Sequence, residues 1–115
     1  MLDDGTSATG VYAVFNASNM PVRLLVINTD YYGGTDTRAT STVSLSGLSA
    51  PSGVKQAKRM TAPSATSTSG VTIGGSTSFT NTCMRSGSQA TESVSVSGGT
   101  MSVSVSASEA LIVFL

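Results

Sequence analysis

The sequence predicts an all-β domain, an antiparallel β-sandwich of about 7–9 short strands with no substantial helix. Three observations carry this. Apolar and polar residues alternate with period two in several stretches, turn residues separate those stretches, and no window of useful length repeats every 3.6 residues. About a third of the 115 residues are Ser or Thr, whereas Glu, Lys and Gln, which favour helices, are sparse. That length suffices for one hydrophobic core. Residues 10–115 are expected to form a single sandwich domain, with residues 1–9 as an arm, loose or strand-donating. An ordered chain is expected, because the disordered signature pairs low hydrophobicity with high net charge, whereas here the net charge is zero and strand patterns recur from end to end.

Nine strands can be marked in order. The first, 11–16, is closed by the turn residues 17–21. The second, 22–28, is almost continuously apolar (Val22, Leu24, Leu25, Val26, Ile27), the pattern of a strand buried on both faces. Residues 29–37 form a polar loop in which Gly33 and Gly34 supply backbone freedom. In 38–46, Ala39, Ser41, Val43 and Leu45 share one face, so Ser41 is the one polar residue turned inward. Strand 54–61 stops before Pro63, and its run Lys55, Lys58, Arg59 reads as a solvent face. Residues 71–73 and 76–80 are short strands around Gly74-Gly75, and 81–89 reads as a loop. Strands 92–97 and 100–106 flank Gly98-Gly99 as a hairpin, with Val94, Val96, Met101, Val103 and Val105 on one side and serines on the other. Strand 109–115 is almost wholly apolar.

Composition removes most chemistry. There is no His, which excludes Ser-His-Asp and Cys-His nucleophiles and His-bearing zinc sites. Cys83 is alone, so no internal disulfide or thiolate cluster can form. Six basic and six acidic residues, mostly scattered, leave no electrostatic case for nucleic acid. No cofactor or metal site is expected, and no stretch is apolar for long enough to span a membrane. Residues 1–5 show neither a basic region nor an apolar run, so no signal peptide is visible, although an extracellular, secreted setting is expected.

Carboxylate catalysis remains to be weighed. Glycoside hydrolysis needs two carboxyl groups roughly 5–9.5 Å apart across a cleft. Asp3 and Asp4 lie at a loose chain end, Asp30 and Asp36 read as loop caps near Arg38, and Glu92 and Glu109 begin strands and are expected to face solvent. No catalytic residue is assigned and the chain is read as a non-enzyme. Tyr31 and Tyr32, adjacent in the polar loop, are the candidate carbohydrate contacts, against the plainer reading that the loop packs on the sandwich; Tyr12 reads as core or half-buried. Asn16-Ala17-Ser18 is an N-glycosylation acceptor pattern in a surface turn.

The order of local motifs resembles the C-terminal β-domain of glycoside hydrolase family 79, the glucuronidase and heparanase-like enzymes. The matching stretches are Val11-Tyr-Ala-Val-Phe, Val22-Arg-Leu-Leu-Val-Ile-Asn28, Thr37-Arg38 with Val43-Ser-Leu-Ser-Gly47, Lys58-Arg-Met-Thr-Ala-Pro63, Ser69-Gly-Val-Thr-Ile-Gly-Gly75, Glu92-Ser-Val-Ser-Val and Ser108-Glu-Ala-Leu-Ile-Val. One departure is Ile73, which stands where relatives place a Trp. The resemblance implies an accessory domain whose partner is a (β/α)8 glycosidase barrel in a longer chain. The barrel carries the family's two catalytic glutamates, which have no counterpart here. It also implies a strand borrowed from ahead of the barrel, and hence an open edge in this chain. That edge would be covered by residues 1–9, by another domain or by a second copy.

Three functions follow as expectations: a non-catalytic accessory or structural domain, a free-standing self-associating subunit that assembles by strand addition at an open edge, and a weak carbohydrate-binding module.

Overall fold

A computed structural model describes Leu2, residues 5–75 and residues 78–115. Among the described residues ten strands form: β1 (Thr9–Phe15), β2 (Pro21–Asn28), β3 (Thr40–Leu45), β4 (Ser52–Thr61), β5 (Thr72–Ile73), β6 (Ser78–Phe79), β7 (Arg85–Ser86), β8 (Glu92–Ser97), β9 (Thr100–Ser106) and β10 (Glu109–Phe114). No described residue is helical. The expected Asp3 and Asp4, and the first two residues of the strand expected at 76–80, lie outside the described residues. β7, within the expected loop 81–89, pairs with β6 as a separate hairpin.

The main sheet runs β1-β2-β10-β4-β8-β9-β3, with β5 on β4, and every pairing is antiparallel. β4 is ten residues long and serves two neighbours: residues 56–60 pair with β10 and residues 52–57 with β8. The sheet folds over along β4 into two facing layers, β1-β2-β10-β4 and β4-β8-β9-β3. Between them lies an aliphatic core that includes Leu24, Val26, Val94, Met101, Val103, Val105, Leu111 and Val113.

Strand parity explains which residues fill it. Val11, Val26, Leu111 and Arg59 stand opposite one another in register, as do Ala13, Leu24, Val113 and Ala57, so one alternate set from each strand enters the interior. β2 is therefore covered on one face only: Leu24, Val26 and Asn28 are buried, whereas on the other face Leu25 and Ile27 are half-buried and Arg23 is exposed. The expectation of burial on both faces is corrected, because no third layer covers that side among the described residues.

The sheet ends at β1 and β3. The Leu2 amide donates to the Val11 carbonyl (2.7 Å), bringing part of the N-terminal arm alongside β1. On β3, the Ala107 amide donates to the Ala39 carbonyl. By antiparallel alternation, the N–H and C=O groups of Thr40, Thr42 and Ser44 then point away from β9, on a strand with no charge and no proline.

Candidate functional site

Parity also carries polar residues inward at one end of the core. Arg59 follows Ala57 by two residues, Glu92 precedes Val94, Glu109 precedes Leu111 and Asn28 follows Val26, each on the inner face of its strand. Arg59 Nε and Nη2 donate to the two Glu92 carboxylate oxygens (3.2 and 2.8 Å), Nη1 donates to Glu109 Oε2 (2.8 Å), and Nη2 donates also to the Ser104 carbonyl (2.9 Å). Glu109 Oε1 accepts from Thr61 Oγ1 (2.9 Å) and lies 3.4 Å from Arg38 Nη1. Asn28, 1% exposed, donates from Nδ2 to Ser41 Oγ (3.3 Å) and the Val105 carbonyl (3.1 Å). The inward Ser41 is thus accounted for: it receives a bond from the opposite layer. These contacts tie layer to layer.

Two expectations are corrected here. Glu109 is only 9% exposed, and Arg59 belongs to this interior cluster rather than to a solvent face. Glu92 is more open, but it too is turned to Arg59 rather than left free in solvent.

The cluster does not suit acid–base hydrolysis. Such chemistry needs a carboxyl whose pKa is raised so that it can deliver a proton. Burial pushes the Glu109 carboxyl up, but hydrogen bonds from Thr61, the Ser106 amide and Arg59, together with the Arg59 charge, outweigh it and hold the carboxyl below the ordinary glutamate value. Desolvation opposes the Arg59 charge, while hydrogen bonds and charges of Glu92 and Glu109 raise its pKa above the ordinary arginine value. Both groups stay ionised and clamp each other.

A pH dependence follows with a definite sign. A carboxyl whose folded pKa lies below its unfolded pKa contributes stability that is full above the unfolded value, about 4.3, and is lost as pH falls through the folded one. The melting temperature is expected to fall below about pH 4.3, with that acid limb flattened in Glu109→Gln. Calorimetry between pH 6 and pH 3 checks this; an unchanged limb in the variant contradicts the assignment.

Arg38 anchors the loop that bears the tyrosines. Its Nε donates to the Ala107 carbonyl (2.7 Å) and its guanidinium stacks on the Tyr32 ring at 4.7 Å. The Tyr32 amide donates to Ser108 Oγ (3.2 Å), and Ser108 Oγ donates to the Asp30 carbonyl (2.9 Å). Tyr32 is therefore part of the packing that fixes the loop. Tyr31 goes the other way and is 73% exposed. The ion partner of Arg38 is Glu109, not Asp30 or Asp36.

Asn16 lies in the exposed β1–β2 turn, where its Oδ1 accepts from the Ser18 and Met20 amides (2.9 and 3.0 Å), an Asx turn. Cys83 is exposed in the β6–β7 turn with φ 60°. Among the described residues no group of three or more His, Cys, Asp or Glu side chains could hold a metal.

The two outer faces differ in chemistry. On the β8-β9-β3 side they are hydroxyl-bearing, with Thr40 paired to Ser106 (3.1 Å) and Thr42 to Ser104 (3.0 Å). On the β1-β2-β10-β4 side, one row in register is Tyr12, Leu25, Ile112 and Lys58, and the next is Gly10, Ile27, Ala110 and Met60. Tyr12 is on this outer face and exposed, not in the core. Phe114 is flanked by Arg23 (5.8 Å) and Lys58 (6.0 Å). Sequence reasoning missed this face, although the signal was present: Leu25 and Ile27, like Ile112 and Phe114, occupy the alternate set of otherwise apolar strands.

Comparison with known proteins places the whole arrangement. The family model described as the glycosyl hydrolase family 79 C-terminal beta domain matches residues 11–112. No curated protein matches. Among solved structures, a 4-O-α-L-rhamnosyl-β-D-glucuronidase from Fusarium oxysporum 12S, in complex with Rha-GlcA, is similar at 37% identity and a TM-score of 0.89. The match covers 99% of this chain but only 25% of that one.

Proposed function

The chain belongs to the family of glycosyl hydrolase family 79 C-terminal β-domains, and from that premise we propose that it is a non-catalytic accessory domain of a longer, secreted glucuronidase-like chain. Its partner is the (β/α)8 barrel of that chain, which supplies the catalysis. One observation carries this reading: nearly the entire chain superimposes on a quarter of a glucuronidase. The acids support it, since Glu92 and Glu109 are engaged with Arg59 in joining strands. On a eukaryotic secretory route, Asn16 in its exposed turn is the residue that would carry an N-glycan.

Two further readings rest on single features. Self-association by strand addition is favoured by the uncharged β3 edge with its outward Thr40, Thr42 and Ser44 backbone groups. Weak carbohydrate contact is favoured by the exposed Tyr31 ring, with Tyr32 supporting the loop from beneath.

One preparation tests all three. The purified chain is expected to show no turnover of an aryl β-glucuronide, no retention on polysaccharide and a constant mass by light scattering across concentrations. Mass growing with concentration favours the self-associating subunit. Retention lost in Tyr31→Ala favours the binding module. Reproducible turnover sinks the accessory reading.

A further inference from the structure

We propose that the outer face of β1, β2, β10 and the second half of β4 is the surface by which this domain seats on the catalytic part of its own longer chain. We further propose that the facing patch there is apolar with a carboxylate opposite Arg23 and Lys58. This rests on the accessory reading above and deepens it by naming the face and the chemistry of the partner.

The two outer faces of the sandwich contrast sharply. An antiparallel sheet with one side in water ordinarily alternates polar and apolar residues. The β8-β9-β3 side does so, and its outward hydroxyls bond to one another. β2 and β10 break the rule on the other side with Leu25, Ile27, Ile112 and Phe114, joined by Tyr12 and Val14 from β1 and Met60 from β4. A large contiguous apolar patch on a domain surface marks an interface.

Charge selects the occupant. Among the described residues, the face carries Arg23 and Lys58, both against the Phe114 ring, and no carboxylate. Neither cation forms an ion pair among the described residues; Lys58 Nζ donates to Gln89 Oε1 at 2.6 Å. If two copies paired through this face, four cations would enter one interface with none of the described carboxylates beside them, which is unfavourable. A surface with its own carboxylate resolves this. The similar glucuronidase is about four times the length of the match, so most of such a chain is available to supply that surface. Covalent linkage keeps the two surfaces at high effective concentration, so a face with only a few charges suffices.

The test uses the full-length protein encoded by the gene, with a protease site placed in the connection to this domain. Leu25→Lys with Ile112→Glu alters the face at a cross-strand pair; Thr42→Lys with Ser104→Glu places the same charges on the hydroxyl side as control. After cleavage, the wild type and the control are expected to co-elute as a complex, while the face variant separates, its retained fraction reduced roughly tenfold or more. Circular dichroism of the released domain verifies its fold. Tyr12→Glu with Val14→Lys, at exposed positions, repeats the test if the first pair does not fold. Arg23→Glu alone is expected to weaken retention, and Arg23→Lys to preserve it. Separation of the control but not of the face variants overturns the assigned face while leaving the accessory reading intact. A full-length gene product with no second domain overturns both.

Discussion

Replacing Arg59 with Met is expected to lower the unfolding free energy by about 3 kcal/mol. Arg59 is the shared partner of two carboxylates and also donates to the Ser104 carbonyl. Removing one member of a buried ion pair costs about 3–5 kcal/mol, because the charge left behind has lost its water as well as its partner. Two features place the expected value at the low end. Arg38 remains 3.4 Å from Glu109, and Glu92 is open enough to recover solvent. Urea denaturation reads the effect. Arg59→Met combined with Glu109→Gln should recover much of the loss, since no buried carboxylate is then stranded. Arg38, though it loses its ion partner, keeps its bonds to the Ala107, Ala62 and Ser108 carbonyls. Arg59→Lys should not, because an ammonium cannot reproduce the fork that grips Glu92 through Nε and Nη2 while Nη1 holds Glu109. A loss below about 1 kcal/mol for the single variant would show that the cluster contributes little to stability.

The second large effect separates two neighbours in one strand. Leu111→Ala should cost about 3 kcal/mol, within the usual ~2–5 kcal/mol for truncating a filled core position. Leu111 is 1% exposed and stands in register between Val26 and Arg59. Ile112→Ala, on the half-buried outer face, should cost less than half as much in the isolated chain. Equal losses at the two positions would mean that the outer face is covered by something other than solvent even without a partner.

That pair also shows what could be read from the residues alone. Strands 92–97 and 100–106 match their expected limits because alternating Val and Ser specify both period and facing direction. The apolar runs in β2 and β10 carry no such alternation. A run of that kind describes a strand buried on both faces equally well as one buried on one face and apolar on the other, so the reading of β2 went wrong. β7 has two exposed residues, Arg85 and Ser86, too few to show any period. The charged cluster was half legible. Glu109 and Arg59 share the inward parity of Leu111 and Ala57, which counting by twos would have shown. What the sequence withheld was the pairing itself, since Arg59, Glu92 and Glu109 meet only once β4 has β10 on one side and β8 on the other. Tyr31 and Tyr32 were placed in the right loop, but which ring turns outward depends on Arg38 and Ser108, distant in sequence.

The position of β10 has a consequence during synthesis. It pairs with β2 on one side and β4 on the other, in the middle of the sheet. As the ribosome extends the chain, β2 and β4 emerge well before the strand that joins them. Leu24 and Val26 therefore wait without their neighbour while most of the intervening sequence is translated. Until then the nascent chain holds two sticky half-sheets, a state in which chaperone binding and aggregation compete. The slow step of folding is expected to be the insertion of β10.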